Sequence, residues 1–540
     1  MGRVQDQPSG HPGRRAARRR RRRPRYGRFI AQTAIGSLVP GTGLIAAGRR
    51  RLGAAVLALF VAAGLGVLAV IAVVPTRRLA SYGGDRQMMF VIGVALVAAA
   101  AIWLIVALVS HRLLEPARLP AGKRLGGALV VVVVTSLVVA PLSLGARNAF
   151  VQRDLIQAIS GGESLTTPDI DTSDPWADMP RLNLLLMGSD AGPGRDGERL
   201  NTLIVVSIDT HTGDATMIGI PRNLQRMPFA AASPLSGLYP QGFDGAGDER
   251  EWMAMSIYSN APILHPEVFE GTDNPGADAT KWAVEGALDI DVDYFIFVNM
   301  EGFQVLVDAL GGVTLNVPRD IPIGNKNRED GPGCTTPRGW IRAGDNQQLN
   351  GGQALWFARS RCMSTDYDRM ARQQCLLGAI TNQANPRTLF TQYQSIASAT
   401  REIIKTDIPE DLFPPLIELA FVVRDGSLES LTLDRDFFQT TTGTNPSNPD
   451  YAQLQAHINT ILTAGPDGDP LDDESEPPAA DADGATDERE PPANEPEPPA
   501  DDEQPSTDET DDDGATDEDT GDGDTIEVSP DQPVETDAVC

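Results

Sequence analysis

The sequence predicts an α/β protein: a three-layer α-β-α domain with a central mixed sheet, an N-terminal transmembrane helical region before it and a disordered acidic tail after it. Three observations predict this. Three apolar stretches of bilayer-spanning length lie before residue 147. Between residues 180 and 464, short β-branched runs alternate with helical patterns, and one pair of runs forms a hairpin. From residue 465 onward, 30 of the 76 residues are Asp or Glu and one is Arg. Such a segment cannot bury enough apolar surface to fold. It carries the whole formal net charge of −29 and repeats EPPA at 476, 490 and 497. The remaining chain is near neutral but divided by region.

Residues 1–28 hold eleven Arg and no Lys, including the run Arg18–Arg23. A basic run can bind nucleic acid, but here a membrane region (29–147) follows it, so it reads as a cytoplasmic anchor and no nucleic-acid partner is expected. The expected spans are Leu52–Val74, Met88–Ser110 and Leu125–Leu144. No small-residue cleavage site marks a signal peptide. Phe29–Gly48 is apolar but contains Pro40 and several Gly between flanking arginines, which suits a re-entrant or in-plane segment. The loop His111–Arg124 carries Arg112, Arg118, Lys123 and Arg124 and belongs inside; Arg77, Arg78 and Arg86 in the loop 75–87 run against the rule. Three spans place everything after Arg147 outside, and a fourth through 29–48 would reverse that. The expectation is a multi-pass protein of the cell membrane with its main domain extracytoplasmic.

After a polar linker (148–179), the outer domain (180–464) opens with a buried strand, Leu182–Gly188. A Gly-rich loop follows, then a strand at Asn201–Asp209, the turn HTGD and a strand at Ala215–Ile220. Residues 228–276 read as an irregular excursion. Next come a helix at Thr280–Leu288, a strand at Tyr294–Asn299, a helix at Phe303–Leu310 closed by Gly311-Gly312, and a strand at Val313–Val317. Residues 324–348 read as loop, Asn350–Arg359 as helix. Helices are expected at Pro386–Ile404 and Leu412–Val423, and a strand at Ser430–Leu433. Polar residues gather where strands end: Asp190, Arg199, Asn201 and Arg222. In sheets flanked by helices, sites sit at such ends.

The stretch Ala354–Cys375, ALWFARSRCMSTDYDRMARQQC, carries the chemistry. It packs Arg359, Arg361, Arg369 and Arg372 around Asp366 and Asp368 and ends in Gln373 and Gln374. Guanidiniums match phosphate oxygens with a planar fork. From Asp368 the stretch reads as helix, with Met370, Leu377, Ile380 and Ala384 on one stripe. Arg369 and Arg372, three apart, share a face beside that stripe, as the wall of a cleft would. A solvated helix with local Arg–Asp pairs has the same pattern, so this stretch alone does not decide.

The blocks LNLLLMGSD, RLNTLIVVSIDTHTGD, IGIPRN, DYFIFVNMEGFQVLVDALGGV, LNGGQALWFARSR and TDYDRMARQQ, in this order, cover most of residues 181–380. In them the chain resembles the LytR–CpsA–Psr family of cell-wall glycopolymer phosphotransferases, with an actinobacterial type of N-terminus. The resemblance implies a membrane-tethered enzyme that moves a glycan phosphate from a polyprenyl pyrophosphate carrier to a peptidoglycan hydroxyl, aided by Mg²⁺. It implies a phosphate clamp of Arg199, Arg222, Arg359, Arg361, Arg369 and Arg372, with an apolar tunnel for the lipid. Asp190 would bind Mg²⁺, Asp366 would organise the arginines or take the hydroxyl proton, and Gln373 would position substrate. Asn201 departs from the family, which usually has Asp there; it offers a metal a neutral oxygen and cannot act as a base. The same cleft also admits two rival readings, a non-catalytic lipid-carrier or wall-binding protein and a pyrophosphate hydrolase. Four cysteines are consistent with an oxidising exterior, where a Cys334–Cys375 bridge is expected, with Cys362 as the competing partner. No His lies beside them, so no structural zinc site is expected.

Overall fold

The computed structural model describes residues 26–116, 119–172, 174–189, 199–324, 334–362, 364–383, 404–463 and 534–535. The described residues begin with two short helices, α1 (Tyr26–Leu38) and α2 (Thr42–Ala46), broken at Pro40-Gly41. Gly41 has φ 93°, and a Cβ there would strike the Gly53 carbonyl. Among the described residues three helices are long and apolar enough to cross a membrane: α3 (Arg50–Val73), α5 (Arg86–Leu114) and α6 (Ala121–Ile159). The short α4 (Thr76–Ser81) lies between the first two. Phe29 of α1 packs on His111 and Gly127, and Trp103 Nε1 donates to the Ser37 carbonyl at 3.0 Å. Tyr26 sits beside Lys123 and Gly126 at the start of α6, while Arg49 leads into α3. The α1–α2 hairpin therefore enters and leaves at the same end of the helices.

Among the described residues, the domain that follows the membrane-length helices is built on a seven-stranded mixed sheet. Its elements in chain order are β1 (Arg181–Ser189), β2 (Leu200–Asp209), β3 (Ala215–Gly219), α7 (Pro234–Leu238), α8 (Ala254–Leu264), α9 (Pro275–Leu288), β4 (Tyr294–Asn299), α10 (Met300–Leu310) and β5 (Val313–Val317). Then follow β6 (Ile321–Ile323), β7 (Gly339–Ile341), β8 (Gly344–Leu349), α11 (Gly351–Arg359), α12 (Asp366–Gln383) and β9 (Ile404–Thr406). Last come α13 (Phe413–Asp425), β10 (Leu428–Thr432), α14 (Tyr451–Thr463) and β11 (Val534–Glu535). The strand order is β11-β10-β3-β2-β1-β4-β9. β1 runs parallel to β4, and β3 to β10; the other pairs are antiparallel. β5–β8 and β6–β7 form two small ribbons beside it.

Alternation along β1 assigns the two faces. Leu185 and Met187 are buried in the larger core with Leu203, Val205, Phe295 and residues of α8, α9 and α14. Leu182, Leu184, Leu186 and Gly188 point the other way, opposite Ile208, Val206, Ile204 and Thr202. On that face α13 covers the starts of β1 and β4, and α10–α12 lie by their ends.

Three expectations are corrected. The excursion 228–276 contains α7 and the eleven-residue α8. α8 shows little amphipathic signal because Ala254, Met255, Ser256, Ile257, Tyr258 and Ala261 are all buried, and Pro262 lies inside it. Residues 324–348 are not all loop: β7 and the polar β8 (GDNQQL) exist because β6 and β5 pair with them. Of the helix expected at 386–404, only Ile404 is described, and it starts β9. The acidic tail lies outside the described residues except Val534–Glu535, which pair with Glu429 and Ser430 of β10. These follow the tail's few apolar β-formers, Ile526 and Val528, and β10 otherwise ends the sheet with open backbone groups.

Candidate active site

At the ends of β1 and β2 the sheet opens into a cavity of about 860 Å³. Its walls are apolar: Leu186 and Ile204 from the sheet, Phe303 and Leu306 from α10, Leu376 and Ile380 from α12. Its rim is polar, with Asn201, Arg338, Arg359, Arg361, Arg369 and Gln373.

The local sequence builds that rim. α11 starts in a capping box in which Asn350 Oδ1 accepts from the Gln353 N–H and the Gln353 side chain accepts from the Asn350 N–H. The helix ends at Arg359, a cation at a C-terminus, where Arg359 stacks over Trp356 at 4.8 Å. Extended residues then carry Arg361 to the start of β2. Asn201 Oδ1 accepts from Arg361 Nη2 at 2.9 Å, and the Asn201 carbonyl accepts from Arg369 Nη2 at 3.3 Å. One β2 residue thus holds two guanidiniums of distant sequence. Arg369 is 1 % exposed, a cation seated at the wall of an apolar cavity. Gln373 Nε2 donates to the Ala358 carbonyl at 3.3 Å and also lines the cavity. Gln374 is fully buried and ties α12 to the Met217 and Leu431 carbonyls and the Thr432 hydroxyl.

The six expected clamp arginines do not all converge on the cavity. Arg359, Arg361 and Arg369 line it. Arg372 does not: its Nε donates to the Phe357 carbonyl at 2.7 Å, its Nη2 to the Ser360 carbonyl and its Nη1 to Ser364 Oγ at 3.0 Å. It braces the turn that carries Arg359 and Arg361. Burial, with Arg319 adding, pulls its pKa down to about 10 against the pull of Asp368. Arg199 pairs with Glu251 at 2.6 Å, outside the cavity lining. Arg222 also lies outside that lining, with Nη1 3.8 Å from Met255 Sδ. It leaves the sheet at the right end, since Gly219 of β3 pairs with Ile204 of β2. Asp368 faces Arg319 at 3.1 Å. Burial pushes its carboxyl up, but bonds from the Thr365 N–H and hydroxyl, with Arg319, outweigh this and hold it below its ordinary value.

Asp190 and the side chain of Asp366 lie outside the described residues. The bridge is Cys334–Cys362, with Cα atoms 5.9 Å apart, and not Cys334–Cys375. Cys375 is buried in the core of α11, α12 and β5. Arg338 was not singled out from the sequence; nothing in its spacing marks it, and only the β6–β7 ribbon brings it to the rim.

Among the described residues no group of three His, Cys, Asp or Glu could hold a metal ion. The Asn201 oxygen already accepts from a guanidinium, which a cation would displace or repel. Asp190, the residue expected to bind Mg²⁺, lies outside the described residues, and of the expected metal residues only Asn201 is described. What the rim and walls do fit is an anion with several oxygens attached to a hydrocarbon chain.

Known proteins share this chain's pattern. It is 27% identical over 248 residues to the polyisoprenyl-teichoic acid–peptidoglycan teichoic acid transferase TagU of Oceanobacillus iheyensis, covering 45% of this chain and 63% of that protein. It is 27% identical over 295 residues to biofilm regulatory protein A of Streptococcus mutans, covering 53% and 64%. The chain thus spans less than two thirds of the length of these curated relatives. Among solved structures, TagV of B. subtilis aligns over 52% of this chain and 95% of its own, at 23% identity and a TM-score of 0.35. The LytR_cpsA_psr family model matches residues 168–460, more than half of the chain, and the protein belongs to that family.

Proposed function

We propose that this protein transfers a glycopolymer phosphate from a polyprenyl pyrophosphate carrier to a hydroxyl of peptidoglycan. The observation that carries the reading is the joining of an arginine rim to an apolar cavity in one site. The named activity of the TagU relatives, transfer of polyisoprenyl-linked teichoic acid to peptidoglycan, supports it. The cavity walls take the hydrocarbon chain, and Arg359, Arg361 and Arg369 take the pyrophosphate oxygens. The acceptor hydroxyl attacks the phosphorus that bears the glycan. A new P–O bond forms to the acceptor, and the bond to the bridging oxygen breaks. The carrier leaves as its monophosphate, and the hydroxyl proton goes to a base. Asp366 remains the residue proposed for that base and Asp190 the one proposed for any metal, on their places in the family blocks. The guanidiniums stabilise charge on the departing phosphate, which is the main demand of phosphoryl transfer.

The proposed placement is a cytoplasmic N-terminus and an extracytoplasmic domain. The loop between α3 and α5 touches the outer domain, so both lie on one side. The α5–α6 connection, next to Lys123 and Arg124, lies at the other end.

The test supplies labelled carrier-linked glycan and peptidoglycan to the full chain in detergent. Label moving into insoluble wall, with equal release of carrier monophosphate, supports transfer. Monophosphate release with the glycan left on water would mean a hydrolase. Tight binding without release would mean a binding protein, and either result removes the proposal.

A further inference from the structure

The apolar face that lines the cavity does not end with it. Below Leu186 and Ile204 the register continues through Leu184–Val206 to Leu182–Ile208. Ile296 belongs both to the cavity and to the cluster under α13, and Leu184 and Val206 pack against that cluster half-buried. One apolar surface therefore runs from the arginine rim to α13. The nine residues of β1 make its length about 26 Å.

α13 is also where the membrane helices meet the outer domain. Ser81, at the end of α4 and 4 % exposed, donates through Oγ to Glu418 Oε1 at 2.8 Å. Arg86, the first residue of α5, reaches Glu410 at 3.3 Å just before α13. Gln152 of α6 donates to the Gly83 carbonyl at 2.7 Å and holds the loop to the third membrane helix. Gly84 presses so closely on α13 that a Cβ there would lie 2.8 Å from Ile417 Cδ1, 2.9 Å from the Phe413 carbonyl carbon and 3.0 Å from the Pro414 nitrogen. A flexible tether needs none of these contacts. The Arg86–Glu410 pair is part-exposed and weak by itself, but the Gly84 approach admits no larger side chain without movement.

We infer that the loop between the first two membrane helices clamps α13, so that the carrier's isoprenoid chain passes from the bilayer along α13 into the cavity. Ser81, Gly84 and Glu418 are positioning residues for that passage. The inference rests on the proposed function only for the ligand being an isoprenoid pyrophosphate. A clamp of this kind fixes the attitude of the cavity to the membrane. It matters for a long chain still embedded in lipid and not for a short one delivered in solution.

The probe is an isoprenyl pyrophosphate with a photoreactive group, in a long-chain form within vesicles and a short-chain form in detergent. The readout is labelling of the full-length protein. Gly84→Phe should lower long-chain labelling about tenfold, as misplacement of a bound group does, and change short-chain labelling less than about twofold. The gentler Ser81→Ala, paired with Glu418→Gln, should show the same split at about threefold. Unchanged long-chain labelling, or equal losses with both probes, overturns the inference. Because labelling needs no turnover, a wild-type protein that labels but transfers nothing removes the transferase reading and leaves this one standing on its own result.

Discussion

Arg361 and Arg372 stand eleven residues apart in one arginine-rich stretch and do opposite work. Arg361 lines the cavity and is held by Asn201, whereas Arg372 spends its donors on the carbonyls of Phe357 and Ser360. Arg361→Ala should leave the melting temperature within a degree or two and cost about a hundredfold in transfer, the usual effect of removing one aimed donor. Arg372→Ala should do the reverse first. It leaves two buried carbonyls unpaired, so a loss of about 2–4 kcal/mol is expected in a thermal or denaturant melt. Asn201→Asp adds a negative charge where an anionic substrate binds. Donor KM should rise about tenfold in the absence of divalent ions, and Mg²⁺ should recover it in the variant more than in the wild type. A titration of both forms with Mg²⁺ checks this, and equal dependence in the two would show that Asn201 is remote from the substrate charge.

At the scale of elements, the turn between α11 and α12 is secured from three sides. The Cys334–Cys362 bridge ties it to the segment before β7, Ser360 Oγ donates to the Pro322 carbonyl at 3.1 Å, and Arg372 holds it from α12. The bridge closes 28 residues, so Cys334→Ser with Cys362→Ser should cost about 3 kcal/mol in unfolding by denaturant. Transfer should fall as well, because Arg359 and Arg361 lie in the segment so held. Much of this segment was legible in advance. α12 follows from apolar spacing, and α11 stands where its helical pattern placed it, closed by a local cap of Asn350 and Gln353 that the structure shows. The partner of Cys362 was not, because ring closure depends on a ribbon, β6–β7, whose strands are three residues each and carry almost no signal alone.

Across the whole molecule, a buried charge network joins the linker, α9, β4 and the strand beside it. Lys281 Nζ contacts Asp407 Oδ2 at 2.9 Å and the Asp293 carbonyl at 2.8 Å, both away from solvent. Nearby, burial pushes the Glu285 carboxyl up to about 7 and that of Asp293 up to about 6, against Lys281 and the N–H groups of Val292 and Asn183. Both groups bind protons more tightly folded than unfolded. Below the unfolded pKa they are neutral in both states and burial costs nothing through them. As pH rises from about 4 to 7 the unfolded chain releases its protons first, and stability falls. Glu285→Gln should flatten the Glu285 part of that slope, worth about 3 kcal/mol, in melts of the full chain across this range. Sequence alone determined the strands β1 to β4, the hairpin between β2 and β3 and the three apolar spans. Each is written in a short period of side-chain polarity and closed by local turn residues, so no distant partner is needed to see it. Only the tertiary structure decided which arginines face the cavity. Arg369 and Arg372 share one helical face by spacing, yet Arg369 reaches across 168 residues to Asn201 while Arg372 turns back 15 residues to Phe357. A guanidinium goes where acceptors are, and those acceptors were placed by strands and turns far away in the chain.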